Sequence, residues 1–404
     1  MSFDLYAYKE LRKGVSADCE DRYDQLERRM RFLDQESQDR FDWKQSKAFI
    51  GEIEGFLAVL EDRLIEFKEV YFRGMTLTEE EMIELFYFKF TETPLLNRMD
   101  AIKDYFIDSW ETLNGRNISD DDQETLQMKF DKMYKTKDIY AIYNWMLEDC
   151  GGNLLPDVPY EKRKLPYEDV FPMLYLKYRL SGGNSTHKNI KHLVIDEMQD
   201  YSYLQYTILE MLFRCRMTIL GDRAQTLDTK QQDVLRFLPK LLGREIRTIE
   251  IKKSYRNTLE IARYAEKVSG VSDLELLDRH GKEVVEKTFN TDTELLDELV
   301  CHLKCPGDFE TAALITTTEE EAFDLSRLLK LRGINVSYVD RNSSAFKKGL
   351  TVTTFYLAKG LEFDQVFALR GAKENPLKNQ AEYICATRAL HELYVYEIAD
   401  SLSK

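Results

Sequence analysis

From His192 onward the chain alternates short apolar runs with helical stretches, and this alternation restricts the folds open to it more than any other feature. The runs are His192 to Ile195, Met217 to Leu220, Ile246 to Ile251, Ala312 to Ile315, Leu350 to Thr354, Val366 to Leu369 and Leu393 to Ile398. Each is four to six residues long, the length of a strand, and the segments between them suit helices. Strands spaced by helices predict a mostly parallel sheet. Seven of them divide more easily into two α/β units than into one, and the division is expected near Leu242-Gly243.

Upstream the pattern is helical. Phe49, Ile53, Phe56, Leu60, Leu64 and Phe67 recur at three- and four-residue steps, which places them on one helix face. Thr78 with Glu81 reads as a capping box, and Ser119 with Asp122 as another helix start. Gly151-Gly152 and the stretch from Pro156 to Pro166 break the pattern. The expected organisation is a helical domain over 1–150, an incomplete parallel-sheet domain over 151–242 and a second parallel-sheet domain over 243–404.

Lys and Arg total 57 against 72 Asp and Glu, and the net charge of −15 disfavours a chain that coats nucleic acid nonspecifically, leaving room only for a local basic groove. No apolar run nears the roughly 20 residues of a membrane span and no secretory pattern opens the sequence, so the expected location is cytoplasmic, without a membrane partner. Cys19, Cys150, Cys215, Cys301, Cys305 and Cys385 have no zinc-site spacing and read as free thiols.

Chemistry concentrates where strands end. His192 to Ile195 runs into Asp196-Glu197-Met198-Gln199-Asp200, which sets two adjacent carboxylates at the carboxyl edge of a sheet, where ligands of open α/β folds bind. In nucleotide hydrolysis the first, Asp196, would hold Mg²⁺ and the second, Glu197, would polarise the attacking water. Asp-Glu alone is also an ordinary acidic turn. A second strand ends in Gly221-Asp222-Arg223-Ala224-Gln225, and an amide there, Gln225, can report on a γ-phosphate.

Together DEMQD and GDRAQ resemble motifs II and III of the UvrD/Rep-like superfamily 1 DNA helicases, and the likeness continues downstream. Lys253-Ser254-Tyr255-Arg256-Asn257-Thr258 is similar to motif IV, Thr354 to Phe363 (TFYLAKGLEF) to motif V, and Tyr383 to Ala389 (YICATRA) to motif VI. The resemblance implies two RecA-like parallel-sheet domains closing on ATP and Mg²⁺ while moving along single-stranded DNA. It implies that Tyr255 stacks on adenine and that Arg256 and Arg388 are arginine fingers. Gly360 and Glu362 would form the nucleotide- and DNA-facing turn. Phe72-Arg73-Gly74, Thr93 to Arg98, Pro166 to Asp169 and Pro172 to Leu176 resemble the HelD (helicase IV) group, some of whose members bind RNA polymerase and release it from nucleic acid.

The sequence departs from the family in two places. No G-x-x-x-x-G-K-[ST] loop precedes Asp196; the glycine pairs Gly151-Gly152 and Gly182-Gly183 lead into neither Gly-Lys-Ser nor Gly-Lys-Thr. Without that loop's amides and lysine the triphosphate loses its main cradle, so weak ATP binding and little hydrolysis are expected of the chain alone. Thr226 and Leu227 follow Gln225 where relatives carry a base-stacking aromatic. Two readings stay open: a helicase ATPase whose loop comes from another polypeptide or segment, and a non-hydrolytic protein that binds RNA polymerase or DNA.

Overall fold

The computed structural model describes residues 2–32, 35–183, 187, 189–227, 234–243, 246–270, 275–304, 309–343, 348–371 and 375–399. Residues 1–29, 34–194 and 201–218 pack into one compact unit, and residues 30–33, 195–200 and 219–404 into a second.

The first unit realises the helical periodicity. Helix Lys47–Leu64 is capped by Ser46 and buries Phe49, Ile53, Phe56, Leu60 and Leu64. Phe67 lies beyond its end, partly buried against the same core. The Thr78–Glu81 capping box opens helix Glu79–Glu84, and Ser119 caps Asp120–Asp131 by accepting the Asp122 amide proton. Helices Arg98–Asn114, Ile139–Asp149 and Tyr167–Ser181 add Trp110, Tyr143 and Phe171, all fully buried.

Helix Tyr167–Ser181 also buries Glu168 and Asp169, a cost that only pairing offsets. Lys44, with its side chain 2% exposed, places Nζ 2.6 Å from Asp169 and 3.4 Å from Glu168. Tyr143 donates its hydroxyl proton to Asp169 at 2.6 Å. Beside this network Gln45 donates to the Glu168 carbonyl and accepts from Ser202, the N-cap of helix Tyr203–Leu212. The start of that helix is therefore tied to the buried centre of the unit.

Strand β1 (His192–Ile195) and strand β2 (Arg216–Ile219) form a two-stranded pair. Ile246 to Ile251, expected as a strand, is not one. Its backbone joins no ladder among the described residues, and Ile249 and Ile251 are 70% and 79% exposed; an apolar alternation becomes a strand only when a neighbour satisfies its amides and carbonyls.

The second unit is built on a six-stranded, wholly parallel sheet. Its strands are β3 (Val285–Phe289), β4 (Thr311–Thr316), β5 (Ser337–Tyr338), β6 (Gly349–Thr354), β7 (Phe363–Arg370) and β8 (Ala389–Ile398), in the order β5-β6-β4-β7-β8-β3. The α/β class with a parallel sheet is thus the architecture of this half of the chain. Leu314, Val352, Phe367 and Tyr394 on the strands pack with Leu299 of helix Asp292–Lys304 and Leu329 of helix Glu319–Leu331. Strand β3, Val-Glu-Lys-Thr-Phe, carries no apolar run and escaped the sequence pattern.

Candidate functional site

Ile195 ends β1 buried, and the chain then turns sharply through Asp196 and Glu197 into a 3₁₀ turn at Met198–Asp200. Glu197 adopts φ +54°, a left-handed conformation that costs a non-glycine residue on the order of 1 kcal/mol or more and persists only where its surroundings enforce it. They do. Asp196 Oδ1 accepts the Glu197 amide proton at 2.9 Å, Leu220 N donates to the Ile195 carbonyl at 2.8 Å, and Met198 N donates to the Leu220 carbonyl at 2.9 Å. Gly221 is required by space: a Cβ there would stand 2.4 Å from Gln199 Oε1 and 2.7 Å from the Met198 backbone nitrogen.

Gln199 joins the two strand tips, donating to Glu197 at 2.5 Å and accepting from the Asp222 amide at 3.2 Å. Gln225 is 8% exposed and donates to Asp222 at 2.9 Å, and Tyr383 donates to the same carboxylate at 2.9 Å. The remaining acceptor of Gln225, Oε1, receives Arg388 Nη2 at 3.1 Å. Glu197, Gln225 and Arg388, far apart in sequence, therefore belong to one cluster.

Arg388 is its most telling member. It ends helix Lys378–Arg388, is 3% exposed, and among the described residues bonds neutral acceptors: Gln225 Oε1, the Leu361 carbonyl and the Thr387 hydroxyl. Among the described residues no carboxylate forms an ion pair with it, and its Nε has no partner. Burial, followed by the nearby Arg256 charge, lowers its pKa, against the pull of Glu197 and Glu362. A buried guanidinium without an anion is a costly arrangement that an arriving anion would relieve.

Arg256 and Glu362 meet each other, Nε to Oε1 at 2.8 Å, with both side chains nearly half exposed. Asn257 is buried and donates to the carbonyls of Ala386 at 3.3 Å and Ala389 at 2.6 Å, fastening the Tyr255–Arg256 segment to the helix end that carries Arg388. Tyr255 itself is 64% exposed, with its ring open to solvent. Gly360 has φ +79° and open space at its Cβ position, so its turn needs glycine for backbone conformation alone.

Sequence reasoning missed Lys359. Its side chain is 8% exposed, and Nζ lies 2.7 Å from Asp200 Oδ2, 2.8 Å from the Gln225 carbonyl and 3.6 Å from Glu197 Oε2. Only its place in A-K-G, one residue before the required glycine, hinted at a role.

Asp196 is exposed and commits one oxygen to the Glu197 amide. One carboxylate suits Mg²⁺, which commonly takes one or two carboxylates and draws its other ligands from water and substrate phosphates. No cluster of three His, Cys, Asp or Glu among the described residues offers a self-sufficient metal site. A cavity of about 810 Å³ lies elsewhere in the second unit, at the carboxyl ends of β4, β7 and β8. Its cations are already neutralised: Arg370 contacts Glu382 at 2.6 Å and Glu397 at 3.3 Å, and Lys378 contacts Glu397 at 3.1 Å. At the strand-tip cluster, by contrast, Arg388 is buried without an ion-pair partner among the described residues.

Residues 3–227, more than half of the chain, match the model of the UvrD/REP helicase N-terminal domain. The chain belongs to the UvrD/REP helicase family. No curated protein matches it. Among solved structures it is similar to the C-terminal domain of a possible DNA helicase from Lactobacillus plantarum, at 26% identity over 36% of this chain and 88% of that one, with a TM-score of 0.29. The helicase of PRRSV matches at 15% identity over 64% of this chain and 45% of its own, with a TM-score of 0.30. An arterivirus nonstructural protein 10 helicase in complex with DNA matches at 18% identity over 29% of this chain and 28% of its own, with a TM-score of 0.21. The chain thus spans less than half the length of either viral protein. Among the described residues, no helix of this UvrD/REP family member is long and apolar enough to cross a membrane.

Proposed function

We propose that the chain carries the carboxylate and arginine half of a superfamily 1 helicase ATP site, and that it works on single-stranded DNA when a phosphate-binding loop is supplied to it. The observation that carries this reading is Arg388, a buried cation without an ion-pair partner among the described residues, bonded to Gln225 beside Glu197. A γ-phosphate is the anion that such a cluster would receive. Asp196 would hold Mg²⁺ and Glu197 would polarise the attacking water, while Gln225 reads the phosphate and Arg256 and Arg388 neutralise charge on the transferred phosphoryl group. Tyr255 would stack on adenine, and Gly360 and Glu362 would shape the turn between nucleotide and DNA. Residues 151–242 and 243–404 would serve as the two motor parts and 1–150 as the helical insertion, a HelD-like layout whose outcome would be movement on single-stranded DNA or release of RNA polymerase.

The test is ATP turnover with and without an added polypeptide bearing a strand and a G-x-x-x-x-G-K-[ST] loop. The chain alone should stay at background; the mixture should hydrolyse ATP and lose that activity on Glu197→Gln or Arg388→Ala. Hydrolysis by the chain alone that falls on Glu197→Gln would show a phosphate site this reading omits. No turnover in either case, with salt-sensitive DNA or polymerase binding retained, would favour a non-hydrolytic binding protein.

A further inference from the structure

Lys359 has no role in the scheme above, yet it is the most deeply committed cation of the cluster. Its ammonium sits within 4 Å of two carboxylates, Asp200 at 2.7 Å and Glu197 at 3.6 Å, and a third acceptor, the Gln225 carbonyl, lies at 2.8 Å. Asp200 and Lys359 side chains are 7% and 8% exposed, so solvent screens their attraction little. The backbone holds the lysine in place as well: Ala358 N bonds the Thr354 carbonyl at 2.9 Å and Leu361 N bonds the Ala358 carbonyl at 3.0 Å, closing tight turns on both sides. A tethered positive charge thus stands beside the carboxylate that would polarise water.

We propose that Lys359 is a resident counter-ion of the acidic turn, whose charge opposes a divalent cation at Asp196 and Glu197 and which keeps the turn assembled without metal or nucleotide. This rests on the nucleotide reading of the cluster. A metal approaching Asp196 and Glu197 meets a like charge already in place. It binds well only when nucleotide phosphates add their own negative charge or when the 355–362 loop withdraws Lys359. The lysine thereby couples occupation of the site to movement of that loop.

The experiment measures Mn²⁺ binding to the full chain, without nucleotide, by electron paramagnetic resonance of free Mn²⁺. Lys359→Gln removes the charge but can still donate to Asp200 and the Gln225 carbonyl; it should bind Mn²⁺ at least about tenfold more tightly than wild type. Lys359→Arg keeps the charge and should match wild type, and Asp196→Asn added to Lys359→Gln should abolish the gain. Circular dichroism establishes that each variant is folded. If Lys359→Gln does not fold, Lys359→Asn, a smaller neutral donor that also removes the charge, replaces it with the same expectation. Folded charge-removing variants that bind Mn²⁺ no better than wild type would overturn the proposal, as would a gain that survives Asp196→Asn. Tighter Mn²⁺ binding with no ATP turnover in the complemented mixture would leave the counter-ion standing and remove the motor reading; turnover without the Mn²⁺ gain would do the reverse.

Discussion

Gly221→Ala should damage the candidate site through one added methyl group. The new Cβ would lie 2.7 Å from the Met198 nitrogen and 2.4 Å from Gln199 Oε1, where ordinary van der Waals contact begins at 3.4 Å. The amide side chain can swing away, but the backbone nitrogen cannot, so the tips of β1 and β2 must part by about 0.7 Å at that point. Met198 N donates to the Leu220 carbonyl at 2.9 Å, a bond that such a shift stretches beyond useful range. Overpacking costs about 1 to 3 kcal/mol and a lost hydrogen bond about 0.5 to 1.5, for a total of roughly 2 to 4 kcal/mol. At about 2 to 4 °C per kcal/mol for a unit of this size, the melting temperature should fall by roughly 4 to 16 °C. Differential scanning fluorimetry reads the drop, and hydrogen exchange should show the Met198 amide losing protection while the helices of residues 47–149 keep theirs. Because φ at Gly221 is not in the left-handed range, space alone makes the argument. A variant with unchanged melting temperature and unchanged Met198 protection would refute it.

Lys44→Met leaves Asp169 buried without its cation and Glu168 with Arg40 alone at 3.9 Å, and should cost about 3 to 5 kcal/mol, read as a lower urea midpoint; a loss under about 1 kcal/mol would mean the network is easily rehydrated. His280 has its pKa raised, chiefly by the hydrogen bond to Glu260, and Glu260 is held at about 2, chiefly by the same bond. The His280 contribution is present below its ordinary value and lost as pH rises through the raised one; that of Glu260 is present above its ordinary value and lost as pH falls toward about 2. An NMR titration should place the His280 midpoint above 6.5, and Glu260→Gln should lower it. Burial pushes the Cys385 thiol up to about 12, whereas Cys301 is exposed, so mass spectrometry after iodoacetamide at pH 8 should find Cys301 modified and Cys385 intact until the chain is denatured.

Helix faces and caps such as Phe49 to Leu64, Thr78–Glu81 and Ser119 were readable because they depend on spacing within one element. The strand tips were readable for a related reason: an apolar run followed by Asp196-Glu197 or Gly221-Asp222 carries its chemistry in contiguous residues, and ordered motifs identified the family. Contacts between distant segments were not readable. Ile246 to Ile251 has the alternation of a strand but no ladder to join, and β3 joins one without the alternation, because pairing depends on what lies alongside. Composition cannot tell that Arg388 is buried among neutral acceptors, that Lys359 rests on Asp200, or that Arg256 turns to Glu362. Nor can it tell that Gly221 is needed for space and Gly360 for conformation. The sequence by itself determined which residues stand at the strand tips and on which elements; tertiary structure alone decided which charges are matched by an opposite charge and which are not, since a charge's free energy is set by the groups and solvent around it.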